Sequence, residues 1–175
     1  MTIEHTTIAN ETPGAIARLS RESHADPVKA DDRWESEQAK WDGYDGEVFG
    51  SPQTVGACVF MTQLDGHVVG LGSWDPRQGP EYGIVGHNFV LPEFRGMGSG
   101  CRQCDEILQR FESLDIRRAK VSTVDHPFFV PAQRMYAACG FGEVGRVPWD
   151  RDPGLARIEY EKELLAARKQ KRGVS

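Results

Sequence analysis

The sequence predicts a single α/β domain of the α+β type, with a mixed and mostly antiparallel sheet flanked by helices. Three observations lead to this class. Hydrophobic segments typical of strands occupy the centre of the chain, at residues 55–64, 67–74 and 82–91. Asp65-Gly66, a strong signal for a two-residue hairpin, joins the first two. A strand–helix–strand–helix–strand order then follows, which is typical of a sheet that contains a parallel pair.

The N-terminal third is predicted to contain a strand, two helices and a loop. The predicted elements are a strand at 3–9, a helix at 13–23 with Thr12 as N-cap, a helix at 30–42 with Asp31 or Asp32 near its start and Gly43 as its stop, and a loop over 43–54.

The C-terminal half is predicted to alternate helices and strands. A helix begins near Gly98, and its apolar stripe recurs every three or four residues at Cys101, Cys104, Ile107, Leu108, Phe111 and Leu114. A strand at 119–124, a helix from Pro131 to Gly140 and two strands at 143–147 and 156–164 follow. The helix near Gly98 joins the strands at 82–91 and 119–124, which are therefore expected to be parallel neighbours.

Size and charge limit the function classes. The chain has 175 residues, 39% of them hydrophobic and 27% charged, which suits one packed domain. No run of about 18 apolar residues exists, so no membrane association is expected. The N-terminus shows no secretory signal, which predicts a cytoplasmic location. A net charge of −5 disfavours binding to a phosphate backbone, and nucleic acid is not an expected partner.

The four cysteines allow a redox or metal site to be considered. Cys101 and Cys104 form a CxxC, but no second pair stands at a distance suited to zinc. Both positions fall on the apolar stripe of the predicted helix. We therefore interpret them as small buried hydrophobic residues and predict no metal.

The segment Val90-Leu91-Pro92-Glu93-Phe94-Arg95-Gly96-Met97-Gly98-Ser99-Gly100 carries the clearest chemical signal. A strand ends, a glycine-rich turn follows, and a helix starts. Free N–H groups at a helix start, together with the helix dipole, favour an anion. Glycine lets that anion approach the backbone closely. The pattern is neither a Walker A loop nor, after antiparallel strands, a typical dinucleotide fingerprint.

Residues 95–100 resemble the Arg/Gln-x-x-Gly-x-Gly/Ala signature of the GNAT superfamily of N-acetyltransferases. Val90 and Pro92 are similar to the end of that family's fourth strand. Ala132-x-x-x-Tyr136-x-x-x-Gly140-Phe141 is similar to its second signature. The resemblance covers residues 55–147 well, and residues 1–54 only by position.

The resemblance implies an acetyl-CoA site. The strands at 82–91 and 119–124 would splay into a V-shaped slot for the pantetheine arm, with backbone contacts at Val90 and Leu91. The N–H groups of Arg95, Gly96, Met97, Gly98, Ser99 and Gly100 would hold the pyrophosphate. The Val90 N–H would stabilise the oxyanion that forms on the acetyl carbonyl.

The resemblance also implies the catalytic groups. Tyr136 would be the general acid that protonates the departing thiolate. The usual base position on the fourth strand is Ile84, which cannot ionise. His87 is a candidate base, although strict alternation puts it on the opposite face from Ile84 unless a bulge intervenes. Glu81 acting through water is a second candidate, and bulk solvent could also deprotonate the amine.

The resemblance implies one N-acetyltransferase domain over residues 1–167, with 1–54 shaping the acceptor side and 55–147 binding acetyl-CoA. Residues 168–175 are predicted to be a solvated basic tail. Trp34 and Trp41 lie in an acidic segment that would suit a cationic amine, which makes them candidate substrate contacts.

The predicted function is acetyl transfer to a primary amine of a small molecule or peptide. Transfer of another acyl group and a non-catalytic acyl-CoA sensor are the competing hypotheses. Many members of the family are homodimers, and a homodimer is the corresponding expectation here.

Overall fold

A seven-stranded mixed sheet forms the centre of the computed structural model, which describes residues 2–30 and 34–164. Its strands are β1 (Ile3–Thr7), β2 (Val59–Leu64), β3 (His67–Asp75), β4 (Gly83–Val90), β5 (Arg118–Val124), β6 (Gly142–Trp149) and β7 (Asp152–Glu163). The order across the sheet is β1-β2-β3-β4-β5-β7-β6. Neighbouring strands are antiparallel except for the parallel pair β4 and β5, which confirms the predicted fold class.

Helices cover both faces of this sheet. They are α1 (Ala15–Ser23), α2 (Ala25–Ala30), α3 (Glu35–Gly50), α4 (Ser99–Ser113) and α5 (Val130–Ala138). Residues of α1 and α3, such as Ile16 and Val48, pack in one core cluster with Met61 and Leu71 of the sheet. Residues of α4 and α5 pack in a second cluster on the other face. Within the described residues, no helix is long and apolar enough to cross a bilayer.

The parallel pair β4–β5 separates soon after it starts. Its paired residues are Gly83 with Ala119 and Ile84 with Lys120. Beyond Ile84, β4 stays paired with β3 up to Val90. The remaining length of β4 therefore has an edge that faces a gap toward β5, which agrees with the expected slot.

The helix predicted at 30–42 was wrong in its bounds, and the loop predicted from residue 43 was wrong in its first part. Helix α3 runs from Glu35 to Gly50, through Gly43 and Gly46. Trp41, Asp45 and Val48 are its buried residues, at steps of four and three. Their burial outweighs the low helix propensity of the two glycines. Asp31 and Asp32, expected near the helix start, lie outside the described residues, as does the basic tail.

The ends of several other predicted strands and helices differ from those in the structure. The first strand ends at Thr7 and gives way to a 3₁₀ turn at Ile8–Asn10. Another 3₁₀ turn, Gly56–Cys58, precedes β2. Strands β6 and β7 extend to Trp149 and from Asp152, so the predicted loop between them is a tight turn. Leu114 lies after α4 and is 53% exposed, so it does not belong to the buried stripe.

Asp45 of α3 takes the capping role that the sequence assigned to Thr12. Helix α1 begins after Gly14, and no side chain from its own N-cap residue bonds it. Instead, the buried Asp45 carboxylate accepts hydrogen bonds from the N–H groups of Gly14 (2.7 Å), Ile16 (2.9 Å) and Ala17 (3.2 Å). These donors have no helical partner, so a distant residue satisfies them.

Asp45→Asn is expected to lower the free energy of unfolding by about 1–3 kcal/mol, because the charge-assisted bonds weaken and a buried amide replaces them. Urea denaturation measures this. Asp42→Asn on the same helix is the control, since its ion pair with Arg21 is exposed and should contribute less than about 1 kcal/mol. Equal losses in the two variants would contradict the capping role.

Candidate functional site

A cavity of about 480 Å³ lies beside the end of β4 that is no longer paired with β5, and we call it the slot cavity. It is lined by the end of β4 (88–90), by the glycine-rich turn and the start of α4 (94–96 and 98–101), by α5 with the turn before it (128, 129, 131, 132, 134 and 135), and by His24. The fold thus brings the end of β4, the glycine-rich turn and the segment that carries the second signature to one cavity.

The start of α4 presents free hydrogen-bonding groups to the slot cavity. The first intrahelical bond runs from Arg102 N–H to Gly98 C=O (3.1 Å), so the preceding N–H groups have no helical partner. The Ser99 hydroxyl is buried, with the residue 1% exposed, and has no hydrogen-bond partner. Gly98 has φ +84° and ψ −2°, which turns the chain so that these groups face the cavity. The arrangement suits an anion.

Arg95 lines the slot cavity, but its guanidinium has structural partners. Its Nε donates to Val90 C=O (3.1 Å), and its NH2 group donates to Ser23 C=O at the end of α1 (2.6 Å). The guanidinium also lies 5.4 Å from the centre of the Phe128 ring. Burial lowers the pKa of Arg95. The side chain therefore fastens α1 to the glycine-rich turn and supplies positive potential at short range.

The hydrogen-bond register of β4 decides which backbone groups face the slot. Leu91 N–H donates to Val69 C=O (2.8 Å). Alternate residues bond the same neighbour in an antiparallel ladder. The backbone groups of Asn88 and Val90 therefore point away from β3, toward the slot. The Val90 N–H therefore faces the slot, as the sequence predicted. The predicted backbone contact of Leu91 with the pantetheine arm was wrong, because both of its backbone groups are already bonded. Its N–H donates to Val69 C=O, and its C=O accepts from Phe94 N–H (3.0 Å).

A β-bulge in β4 turns His87 onto the same face of the sheet as Ile84. The register with β3 shifts between Gly72 and Trp74, opposite Gly86 and His87. The Ser73 hydroxyl accepts a 2.7 Å hydrogen bond from the extra His87 N–H. Val85 packs in the α4–α5 cluster, whereas Phe89 packs in the α1–α3 cluster, so the alternation reverses between them. The condition that sequence analysis set for His87 is met.

His87 faces a second cavity of about 520 Å³, which we call the outer cavity. This cavity lies beside β3 and β4 and is lined by residues 44, 47, 54, 55, 58, 73–77, 84, 86 and 87. The His87 ring lies 4.5 Å from the Tyr44 ring, centre to centre. Carboxylates of Glu47 and Asp75 also line the cavity, and Asp75 is paired with Arg77 (2.6 Å).

The His87 imidazole is neutral at pH 7. Its surface is exposed to the outer cavity, yet protein surrounds it on most other sides. This desolvation, together with a smaller electrostatic contribution from His24, lowers the pKa of His87 to about 4. A neutral imidazole is the form that can accept a proton.

Tyr136 lies in the core cluster on the α4–α5 side of the sheet and lines neither the slot cavity nor the outer cavity. It is 5% exposed and shares a cluster with Val85 of β4 and Val121 of β5. Its ring packs 5.8 Å from Phe141 and 6.2 Å from Tyr160, between centres. Burial raises the pKa of Tyr136, so its hydroxyl stays protonated. Its role as general acid stays a prediction.

Three further predicted contacts receive no support from the geometry. Trp34 is buried and packs 5.5 Å from Trp149, while Trp41 is buried and packs 5.2 Å from His24. Neither lines the slot cavity or the outer cavity, and their ring contacts attach the α3 segment to the rest of the domain. The Met97 side chain is 46% exposed and is absent from the wall of the slot cavity.

Sequence analysis missed Asn88, Arg134 and His24, which all line the slot cavity. Asn88 carried a signal, because asparagine is depleted in strands. Arg134 lies between Ala132 and Tyr136, in the segment already singled out, and places an exposed cation at the cavity. His24 follows α1 and carried no signal in the sequence.

The CxxC cysteines take different positions. Cys104 is buried in the core, as expected, and Cys101 is half-buried at the wall of the slot cavity. Cysteines 58, 101, 104 and 139 are all free thiols. Over residues 2–30 and 34–164, no group of three or more histidine, cysteine or acidic side chains could hold a metal ion.

Comparison with known proteins identifies the family. Residues 16–141 match the acetyltransferase (GNAT) family. The chain belongs to the GNAT acetyltransferase family. No curated protein matches the sequence.

Solved structures agree with this fold. A GNAT-family protein from Desulfovibrio desulfuricans superposes with a TM-score of 0.74 at 15% identity, over 93% of this chain and 99% of that one. The ribosomal-protein-S18-alanine N-acetyltransferase of Escherichia coli gives 0.67 at 12% identity, over 98% and 100%. A Bacillus anthracis protein assigned as a streptothricin acetyltransferase, in complex with acetyl-coenzyme A, gives 0.55 at 16% identity, over 61% of each chain. At these identities the likeness establishes the GNAT fold.

The slot cavity of this GNAT protein fits acetyl-CoA by its own chemistry. Ser99 Oγ and the free N–H groups of α4 are donors for a diphosphate. Val90 N–H and the slot edge of β4 are extended backbone that a pantetheine arm can pair with. Apolar groups of Phe128, Ala132 and Met135 form the facing wall.

Proposed function

We propose that the protein transfers an acetyl group from acetyl-CoA to a primary amine of a small molecule or peptide, by direct attack of the amine. The observation that carries the proposal is that neighbouring residues of β4 line two different cavities. Asn88 and Val90 line the slot cavity, and the adjacent His87 lines the outer cavity. A donor held in the slot and an acceptor held in the outer cavity would meet across this strand.

Each residue has a defined task in this proposal. Acetyl-CoA supplies the activated acetyl group. The start of α4 binds the diphosphate, and Val90 N–H donates to the acetyl carbonyl, where negative charge develops during attack. Neutral His87 takes a proton from the incoming ammonium group, directly or through water. Tyr136 gives a proton to the departing thiolate.

The acceptor is expected to be cationic before it reacts. Glu47 and Asp75 bring two carboxylates to the outer cavity against one cation, Arg77. Tyr44 provides an aromatic surface next to His87, suited to a cation. Ile84 at the usual base position favoured a non-catalytic sensor, and the bulge that brings His87 beside it weakens that hypothesis.

Thiol release from acetyl-CoA, followed with a panel of small and peptidyl amines, tests the proposal. We expect release that depends on the amine, with the acetyl group recovered on nitrogen. Propionyl-CoA and succinyl-CoA in parallel reactions test the acyl group. Binding of acetyl-CoA without turnover across the panel would favour the sensor. Transfer only to hydroxyl or thiol acceptors would contradict the amine.

His87→Gln is expected to lower kcat/KM at pH 7 by roughly 10- to 100-fold. General bases contribute about 10²–10⁴-fold, and bulk solvent can replace part of this contribution. Steady-state kinetics with a reactive amine from the panel measures it. His67→Gln is the control, because His67 is exposed at the start of β3 and lines neither cavity. Equal activity of the two variants would contradict the role of His87.

The His87→Gln variant should also change how the stability of the folded protein depends on pH. The folded-state pKa of His87, about 4, lies below the ordinary value of 6.5. As pH falls from about 6.5 to about 4, the unfolded chain therefore binds the proton first, and the native protein loses stability. His87→Gln lacks this loss. Its thermal midpoint should decline less than that of the wild type between pH 7 and pH 5.

A further inference from the structure

We propose that Asn88 is a donor-binding residue, whose side-chain amide hydrogen-bonds the pantetheine arm and positions the thioester beside Val90 N–H. This inference rests on the proposed function, because it concerns the same slot. It starts from two atoms of the free protein, Asn88 Nδ2 and Oδ1. Both are buried, and neither has a hydrogen-bond partner.

An unpaired buried amide is costly. A polar group that loses water without gaining a partner costs about 1–3 kcal/mol, and here a donor and an acceptor are both unpaired. A leucine of similar size would avoid this cost. Buried polar groups without partners in a native structure call for an explanation, and a ligand that completes them is one.

The neighbours of Asn88 on β3 and α4 leave its amide without a partner. The residue opposite it on β3 is Gly72, which has no side chain, and the Phe60 ring fills the space beside Gly72. Gln103 of α4, a buried polar residue that contacts the next residue of β4, donates from its Nε2 to Thr62 Oγ1 (2.9 Å) and Phe89 C=O (3.2 Å). Gln103 Oε1 is itself unpaired, so it does not bond Asn88. Asn88 lines the slot cavity, so a ligand held there is the candidate partner for its amide.

Asn88 also stands at the right place along the strand. It lies two residues before Val90 and four residues after the last β4–β5 pair, at Ile84. The side chains of Asn88 and Val90 share the α4 face, and the backbone groups of both point into the slot. A ligand that bonds Val90 N–H therefore passes Asn88.

The chemistry of the pantetheine arm matches the unpaired atoms. Each of its two amides offers one N–H and one C=O, and the thioester offers a further acceptor. The Asn88 amide offers the complement, one acceptor and an NH₂ donor. Because the group is already fixed and desolvated, binding need not repeat that cost.

Asn88→Leu should separate this role from a structural one. We expect the Kd of acetyl-CoA, measured by isothermal titration calorimetry, to rise about tenfold, which corresponds to about 1.4 kcal/mol. We expect the thermal midpoint of the free protein to stay level or rise, because two unpaired buried atoms are removed. The increase in midpoint that acetyl-CoA produces should shrink. Adenosine 3′,5′-bisphosphate, which lacks the arm, should bind both proteins equally.

Thr62→Val is the matched control, since Thr62 is a buried polar residue that already has a partner. It should lower the midpoint of the free protein and leave the Kd of acetyl-CoA unchanged. Asn88→Ser, which keeps a polar but shorter side chain, provides a second variant and should weaken acetyl-CoA similarly.

Three outcomes would overturn the inference: unchanged Kd in Asn88→Leu and Asn88→Ser, a midpoint lowered as in Thr62→Val with unchanged Kd, or equal weakening of the bisphosphate. Failure of the proposed function looks different, because then the wild type itself would not bind acetyl-CoA or would not transfer the acetyl group.

Discussion

Gly98→Ala is expected to weaken acetyl-CoA binding by roughly 10- to 100-fold. Gly98 holds φ +84°, and its amide precedes the free N–H groups of α4. A methyl group there would meet no protein atom within 4 Å and would project into open space, at a residue that lines the slot cavity. It would keep the diphosphate from the backbone. The loss of one hydrogen bond to a charged group is about 1.5–3 kcal/mol, which gives this range.

Gly66→Ala is the matched control for this prediction. Gly66, in the β2–β3 hairpin, also has φ +84° and also has nothing within 4 Å of an added methyl group. The left-handed conformation should cost both variants a similar 1–2 kcal/mol or so in the free energy of unfolding. In calorimetric titrations, the affinity for acetyl-CoA should then fall only in Gly98→Ala. Equal affinities would place the anion elsewhere, for example on Arg134.

Local backbone chemistry explains why these two turns could be predicted from sequence. Asp65-Gly66 forms a hairpin in which both residues have positive φ, and Gly98 marks the start of α4. In each case the residue type itself dictates the conformation. The helix predicted from Pro131 to Gly140 was correct for the same reason, because Gly140 with φ +85° ends α5.

The N-terminal segment could not be predicted as well, because distant contacts decide it. Gly43 and Gly46 favour a break in the helix, but α3 continues through them. Asp45 and Val48 lie beyond Gly43, and both are buried against the rest of the fold. The Asp45 carboxylate bonds the start of α1 across about 30 residues of chain, a partnership that no local pattern reveals.

On the acceptor side of the site, the position of His87 depends on the register shift between β3 and β4. Sequence alternation alone places His87 and Ile84 on opposite faces. The bulge depends on the Ser73 hydroxyl, which bonds His87 N–H from the neighbouring strand. A serine on one strand and a glycine on the other do not by themselves indicate a bulge. The sequence therefore showed that His87 needs a bulge to share a face with Ile84, but it could not show that this bulge forms.

The largest loss of turnover is expected from Tyr136→Phe, with kcat lower by about 100-fold or more. A thiolate leaving group gains from a proton, and burial raises the pKa of Tyr136, so the phenol keeps its proton through the working range of pH. The same cluster that holds Tyr136 contains Val85 and Ala119, which lie where β4 and β5 are still close together. Tyr136 thus belongs to the core cluster that supports the paired part of these two strands.

The Kd of acetyl-CoA should change little in Tyr136→Phe, because Tyr136 does not line the slot cavity. Rapid-quench measurement of a single turnover would isolate the chemical step from product release. The kcat profile of the wild type should show no basic limb from this group below about pH 10, since its folded-state pKa lies above the ordinary value.

Tyr160→Phe supplies the control for Tyr136→Phe. Tyr160, on β7, is buried in the same cluster, and its ring centre lies 6.2 Å from that of Tyr136. Each variant removes one hydroxyl from a tyrosine that is 5–6% exposed and keeps its ring in the core, so each should lose only a small amount of stability. A general acid predicts that only Tyr136→Phe loses turnover. Equal kcat in the two variants would leave Tyr136 as a core residue and assign protonation of the thiolate to water.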